Sequence, residues 1–220
     1  CRDATSTFTP ALGRPPDDPF LFRHRGHRHI SVREFGFAID DLTAAARACR
    51  TTPDEIEPDG LPVPGRPPHA TLHFNVYYHL GLALFLAGDF WGAEHAWLHC
   101  LAVCRNDESR VAVCHWLWSV RMRLGDPAGA MAAVAAITPD LDVVENTSYH
   151  SLCLYYAGRL SRDAIEVPGG SAGAALAFGL AHHDLVTGDR WAARRQFEAL
   201  AADPGWAAFG VIAAEAELRR

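Results

Sequence analysis

A short hinge recurs along the chain and separates apolar runs that have the spacing of helices. The most complete copy is Gly88-Asp89-Phe90, which follows an apolar run containing Leu80 and Leu84 and precedes an alanine face that begins at Ala93. Gly before Asp is typical of a helix that ends in a left-handed residue and of a second helix capped by the Asp side chain. Because helix pairs of this kind cannot bury their apolar faces alone, we expect them to stack into a solenoid.

The hinge returns at intervals close to the length of a helix pair. Its other copies are Arg33-Glu34-Phe35, Gly125-Asp126-Pro127, Gly158-Arg159-Leu160 and Gly188-Asp189-Arg190-Trp191. From Gly88 onward the steps are 37, 33 and 30 residues, near the roughly 34-residue period of a helix-turn-helix repeat. The step from Arg33 to Gly88 is 55 residues, which corresponds to one period plus an insertion. The sequence therefore predicts five repeats.

The second repeat resembles the tetratricopeptide repeat. Its residues Tyr77-x2-Leu80-Gly81-x2-Leu84 and Ala93-x3-Trp97 fit the template W-x2-L-G-x2-Y followed by A-x3-F. The fifth repeat is similar at Leu180-Ala181 and Ala193-x3-Phe197, and the first at Phe22-x2-Arg25-Gly26 and Ala38-x3-Leu42. The resemblance covers about residues 19 to 204. It implies an all-α fold, an α-solenoid of about five helix-turn-helix repeats with a C-terminal capping helix.

Two repeats depart from the template. In the third, Trp118 stands where a small residue is expected at the close crossing of two helices. In the fourth, Ser151 fills the small position, and Val167-Pro168-Gly169-Gly170 is expected to cut the second helix short. The glycine-rich stretch from Gly169 to Gly173 is interpreted as a flexible break before the fifth repeat.

The predicted organisation has four kinds of segment. These are an extended Pro-rich N-terminal arm (1–18), the solenoid (19–220) with repeats at about 19–50, 74–107, 111–140, 144–167 and 174–204, an insertion rich in Pro and acidic residues (51–68), and the capping helix (205–220). The Pro content of the insertion favours a fixed extended path over a surface. We expect it to cover the binding groove or to contact a partner.

Composition excludes several classes of protein. The 220 residues are 49% hydrophobic, no run of eighteen apolar residues occurs, and the net charge of −6 offers no basic surface for nucleic acid. The sequence contains no G-x-S-x-G, phosphate-binding loop or H-E-x-x-H motif. We therefore predict a protein that is not an enzyme, with no catalytic residues and no cofactor.

The cysteines suggest a location. The sequence starts at Cys1, and a mature N-terminal Cys resembles that of a bacterial lipoprotein, so Cys1 is predicted to carry lipid and the protein to be extracytoplasmic. A truncated chain and a disulfide are the alternatives. In an exported protein a Cys104–Cys114 or Cys100–Cys114 bridge is possible, whereas small residues buried in tight helix packing are the alternative reading. Asn146-Thr147-Ser148 is a possible N-glycosylation site at Asn146.

The twelve histidines raise the possibility of a metal site. His95 and His99 share a helix face, and His99, Cys100, Cys104 and His115 are near in sequence. None of these follows a paired ligand spacing such as C-x2-C with H-x3-H. We therefore predict no metal site, and a His-rich metal-binding protein remains only a third hypothesis for function.

The tetratricopeptide resemblance implies that the first helix of each pair lines a concave, partner-binding face. The residues placed on it are Arg23, His27, Asn75, Tyr78, His115, Ser119, Arg123, Tyr155, Tyr156 and His182. Aromatic, Arg and His side chains are frequent anchors at protein interfaces, so a protein or peptide segment is the expected partner. The second hypothesis is a structural subunit that assembles head to tail with copies of itself into an open filament or tube.

Overall fold

The computed structural model describes residues 18–57 and 68–220, and over these residues the fold is all-α. Ten α-helices and one short 3-10 helix, Arg162–Ala164, make up the regular structure of these ranges, and the backbone pairing outside helices is a single antiparallel bridge between Ile56 and Thr71. The predicted fold class is confirmed. The described residues form two compact units, which divide between Asn106 and Asp107.

The N-terminal unit contains two helical hairpins. Its helices are α1 (Pro19–Ser31), α2 (Phe35–Ala48), α3 (Leu72–Ala87) and α4 (Phe90–Val103). Helix α1 packs against α2, α3 packs against α4, and α3 also contacts both helices of the first hairpin. This is the neighbour pattern of stacked helix pairs, in which each pair covers the apolar face of the next.

The C-terminal unit contains six helices. They are α5 (Asp107–Arg123), α6 (Pro127–Val134), α7 (Thr147–Tyr156), α8 (Gly170–Thr187), α9 (Arg190–Ala201) and α10 (Phe209–Leu218). Helices α5 and α6 form one hairpin, α8 and α9 form another, and α7 packs between α5 and α8. The last helix, α10, contacts both α8 and α9, as expected of a capping helix. Throughout the described ranges, each helix is too short or too polar to span a lipid bilayer.

The recurrent hinge has one backbone signature in all five copies. The residues with positive φ are Arg33 (65°), Gly88 (91°), Gly125 (76°), Gly158 (68°) and Gly188 (113°). Glycine adopts this left-handed conformation without steric cost, which explains its presence at four of the hinges. The following Asp caps the next helix at three of them, and the Asp89 Oδ1 that accepts from the Gly92 backbone N–H at 2.9 Å is one example.

Small residues allow close helix crossings in the N-terminal unit. A Cβ placed on Gly81 of α3 would overlap the indole of Trp97 in α4, and one on Gly26 of α1 would lie 2.7 Å from Leu42 Cγ in α2. Trp97 Nε1 in turn donates a hydrogen bond to the Tyr78 carbonyl, 3.2 Å away. The glycines of the repeat pattern are therefore packing positions.

The C-terminal unit departs from the repeat where the sequence does. No α-helix follows the fourth hinge before α8; in its place Arg162 of the 3-10 helix makes two hydrogen bonds to the Asp184 carboxylate of α8, at 2.6 and 2.9 Å. Trp118 is buried and stacks on Tyr156 of α7, with 3.7 Å between ring centroids and 9° between ring planes. Trp118, at the position where a small residue was expected, is thus accommodated by stacking on Tyr156.

Two expectations at the ends of the fifth repeat are wrong. Residues 170–173 are not a flexible break but the first turn of α8, in which a Cβ on Gly173 would overlap the Pro168 carbonyl five residues earlier. The capping helix begins at Phe209 rather than near 205. A turn precedes it, in which the Ala208 N–H donates to the Gly205 carbonyl at 2.8 Å.

The insertion between the first two repeats begins with an extended segment. The Glu57 N–H donates to the Ala70 carbonyl and the Leu72 N–H donates to the Glu55 carbonyl, both at 2.9 Å. Asp54 Oδ2 lies 2.9 Å from Arg105 Nη2. These bonds hold the start of the insertion against α3 and place Glu57 beside the first helices of both hairpins.

Candidate binding surfaces

In the N-terminal unit, part of the predicted concave face is occupied by the chain itself. The carboxylate of Glu57 lies 3.4 Å from Arg23 Nε and 3.1 Å from His24 Nε2, and it accepts a hydrogen bond of 2.8 Å from Asn75 Nδ2. Arg23, Asn75 and Glu57 are all buried. The charges therefore compensate one another inside the fold, as buried ionic groups require.

The other two predicted residues of this unit join an aromatic cluster. His27 is half-buried and stacks on His79, with 4.5 Å between ring centroids. Tyr78 is buried between Phe74 and His79. Burial lowers the pKa of His79 well below its usual value, and the nearby Arg23 charge adds to the effect. His79 is therefore neutral at pH 7.

In the C-terminal unit, His115 and Tyr156 form the centre of a buried aromatic cluster. His115 Nδ1 lies 3.3 Å from the Tyr156 hydroxyl, and its ring stacks on Tyr149 with 4.9 Å between centroids. Burial lowers the pKa of His115 to about 3 and raises that of Tyr156 well above its usual value. Both groups are consequently neutral, and neither is poised to move a proton near pH 7.

The remaining predicted residues divide between the interior and the surface. Ser119 and His182 are buried, whereas Tyr155 and Arg123 are half-buried. Tyr155 contacts His183, whose Nδ1 is 3.4 Å from the Tyr155 hydroxyl. Of the ten residues placed on the concave face, seven are buried and three are half-buried. Partner binding by this set stays a prediction, and most of its side chains have no surface to offer in this conformation.

The C-terminal unit has a surface cleft of about 610 Å³. The cleft lies among the C-terminal ends of α5, α8 and α10 and the first turns of α9. Its walls combine arginines with one carboxylate and several apolar side chains: Met122, Arg123, Leu185, Val186, Arg190, Arg194, Phe197, Glu217, Leu218 and Arg220. Arg123 alone among the ten predicted residues lines it, so the sequence interpretation missed most of this surface.

A shared carboxylate organises the inner wall of the cleft. Glu217 Oε2 accepts a hydrogen bond from Arg123 Nη1 at 2.8 Å, and Glu217 Oε1 accepts one from Arg220 Nη1 at 2.5 Å. The Glu217 side chain is almost fully buried by these contacts. Burial lowers the pKa of Arg220, and the neighbouring Arg123 charge contributes in the same direction. Two like charges are thus held close together.

The outer wall carries two more arginines on α9. Arg190 and Arg194 are exposed and lie four residues apart, so they share one face of the helix. Arg194 Nε lies 2.9 Å from Glu198 Oε1, an exposed pair that contributes little to stability. Arg190 makes no side-chain hydrogen bond or ion pair with the described residues. This wall faces solvent and is available to a ligand.

The structure gives little support for or against the predicted lipidation, disulfide and glycosylation sites. Cys1 lies outside the described residues, and no disulfide joins the five described cysteines, which include Cys104 and Cys114. Burial raises the pKa of Cys49 to about 12, so it is not a reactive thiolate. Asn146 Nδ2 donates to the Glu108 carbonyl at 3.2 Å. Within residues 18–57 and 68–220, no three His, Cys, Asp or Glu side chains are grouped to hold a metal ion.

Comparisons with protein families and with curated proteins found no match to this chain. No protein-family model matches the chain, and no curated protein is significantly similar to it. The tetratricopeptide resemblance therefore stays a prediction from the repeat pattern of the sequence.

Proposed function

We propose that the chain is a non-enzymatic interaction protein of tetratricopeptide type that binds a segment of another protein. The observation that carries this proposal is the cleft of about 610 Å³ on the C-terminal unit, which combines arginines with an apolar floor. A cleft of this size and mixed lining suits a few residues of a bound chain. The proposed surface lies within the C-terminal unit and differs from the concave face named from the sequence.

Several titratable groups of the interior are buried and uncharged at pH 7. The buried histidines His79, His115 and His182 all have lowered pKa values because burial disfavours the imidazolium. Burial also raises the pKa values of Cys100 and Cys153 well above the usual range. These shifts move each group away from proton transfer or nucleophilic attack at pH 7.

Peptide selection tests the proposal. Short random peptides would be displayed and selected on the immobilised full chain, and the affinity of the enriched peptides would be measured for two variants. Val186→Trp places a large ring in the cleft, whereas Met131→Trp adds the same ring on the exposed face of α6, away from the cleft. We expect Val186→Trp to weaken binding and Met131→Trp to leave it unchanged. Equal affinities for both variants would contradict binding in the cleft.

Self-assembly is the second candidate, and a different observation favours it. Large aromatic side chains are exposed in the first turns of three second helices: Phe37 of α2 (61% exposed), Trp91 of α4 (66%) and Trp191 of α9 (71%). Trp91 and Trp191 occupy the same position, the second helical residue after the hinge. Exposed tryptophans are frequent anchors of protein interfaces.

Mass photometry across a range of protein concentrations tests this second candidate. Assembly through these aromatics predicts particles that grow with concentration and that are lost in the variant Trp191→Ser. A monomer at every concentration, in the parent chain and in the variant alike, would remove self-assembly as the function.

The extracytoplasmic location with a lipid on Cys1 stays a prediction of the sequence. Fractionation of producing cells and mass measurement of the mature N-terminus would test it.

A further inference from the structure

The cleft of the C-terminal unit carries a concentrated positive charge. Four arginines line it, Arg123, Arg190, Arg194 and Arg220, against the single lining carboxylate of Glu217, which gives the lining a formal charge of +3. The exposed Glu198, which pairs with Arg194, lies outside the lining. The whole chain has a net charge of −6. A cationic cleft in an acidic protein attracts a compact anion, whereas a long acidic segment would meet repulsion from the surface around the cleft.

The side chains that carry the positive charge indicate which kind of anion the cleft would bind. Every basic residue of the cleft is Arg, whose planar guanidinium binds the oxygens of carboxylate and phosphate groups in pairs. The Glu217 carboxylate is one example of such an oxyanion bound by arginines in this cleft. Its two oxygens accept hydrogen bonds from Arg123 and Arg220. A phosphate group adds about two negative charges and three acceptor oxygens in one small volume. Its charge matches the two positive charges of Arg190 and Arg194 better than one more carboxylate does, and it competes with the exposed Glu198 carboxylate for Arg194.

The apolar part of the lining indicates that the anion is attached to a larger molecule. Leu185 and Val186 of α8, Phe197 of α9 and Leu218 of α10 border the same cleft. A bare inorganic ion would leave these side chains uncovered, whereas a peptide residue next to the phosphate would bury them. The arginines and the apolar floor therefore suit two adjacent parts of one ligand.

We infer that this cleft recognises a phosphorylated segment of a partner protein, with Arg190 and Arg194 as the main phosphate-binding residues. The inference rests on the proposed function, since it names the class of segment bound at the same site. Arg123 and Arg220, held by Glu217, form the fixed inner wall and supply the long-range attraction. The two α9 arginines close on the phosphate from the solvent side.

Three matched peptide libraries test the inference, each degenerate at the flanking positions and fixed at the centre as phosphoserine, serine or glutamate. Binding to the full chain is measured with methyl-labelled Leu and Val, so that shifts of Leu185, Val186 and Leu218 report on the cleft. We expect the phosphoserine library to bind about tenfold more tightly than the serine library. Arg190→Gln with Arg194→Gln abolishes this gain, whereas Arg195→Gln, which removes an exposed arginine of α9 outside the cleft, changes affinity by less than about twofold.

The possible outcomes separate the two proposals. Equal binding of phosphoserine and serine libraries, with shifts in the cleft, would overturn phosphate recognition and leave segment binding standing. No binding of any library, with no cleft shifts, would overturn both. Inorganic phosphate or O-phosphoserine that binds as tightly as the phosphopeptides would overturn recognition of a segment and assign the cleft to a free phosphate. The thermal midpoint of each variant, expected to match the parent chain, excludes unfolding as the cause.

Discussion

Arg123 in α5 and Glu217 in α10 form an ion pair with 2.8 Å between Nη1 and Oε2, although 94 residues separate them in the chain. The pair ties the C-terminal helix to the third repeat within the C-terminal unit. Arg220 shares the same carboxylate, so Glu217 holds two arginines together at the inner wall of the cleft.

Replacement of Glu217 by Gln should destabilise the C-terminal unit. The variant leaves two partly buried guanidinium groups without their carboxylate, and we expect a loss of about 1–3 kcal/mol in the free energy of unfolding. Urea unfolding followed by tryptophan fluorescence measures it. Glu198→Gln removes a carboxylate from an exposed pair on α9 and should cost no more than about 1 kcal/mol. Equal effects of the two substitutions would contradict the structural role of Glu217.

Substitution of Gly81 by Ala should disturb the crossing of α3 and α4. The added methyl group overlaps the Trp97 indole, and forced repacking of this kind costs about 1–3 kcal/mol. Gly36→Ala is the matched control, because Gly36 lies in the first turn of α2 and a Cβ there meets nothing within 4 Å. We expect the control to be neutral or slightly stabilising. Thermal unfolding of both variants measures the difference in their stability. A Gly81→Ala variant as stable as the parent chain would show that the two helices cross less closely than described.

Acid should destabilise the C-terminal unit through His115. Its pKa is about 3 in the fold because of burial and about 6.5 in an unfolded chain. Below pH 6.5 the unfolded chain therefore binds more protons, and stability falls as the pH decreases from 6.5 towards 3. At pH 5 this single residue accounts for a loss of about 2 kcal/mol.

The measurement is the free energy of unfolding at pH 7 and pH 5. His115→Gln should reduce the difference between the two values, whatever its effect on stability at pH 7. His95→Gln, which removes an exposed histidine, should leave the difference unchanged. An unchanged pH dependence in His115→Gln would mean that the imidazole is accessible to protons in the fold.

Local sequence signals predicted much of the fold. The five hinges are found at the expected residues, and each contains a residue with positive φ. Four of these residues are Gly, which adopts this conformation readily, and three of them are followed by a capping Asp. The second helix of the fourth repeat, which was expected to be cut short at Val167 to Gly170, is reduced further, to the 3-10 helix Arg162–Ala164. The start of α8 at Gly170 was not expected, since glycine has a weak helix propensity. A contact with another helix is made in this first turn, where the Ser148 hydroxyl of α7 donates to the Ala172 carbonyl at 2.9 Å.

The binding surface was harder to predict, because burial depends on contacts between distant segments. Arg23 and Asn75 occupy template positions of a concave face, but Glu57 of the insertion covers them. The cleft joins Arg123 of α5, Arg190 of α9 and Arg220, which follows α10, and no spacing in the sequence brings them together. The sequence shows that the chain contains Arg and no Lys, but it does not show which of the arginines lie close together.

The most direct test of the account is a titration of the methyl-labelled full chain with the peptides that selection enriches. The account predicts saturable shifts of the Leu185, Val186 and Leu218 methyl groups, lost in Arg190→Gln with Arg194→Gln and retained in Arg195→Gln. Shifts confined to other parts of the chain, or equal responses of the two variants, would contradict the assignment of the arginine-lined cleft as the binding site.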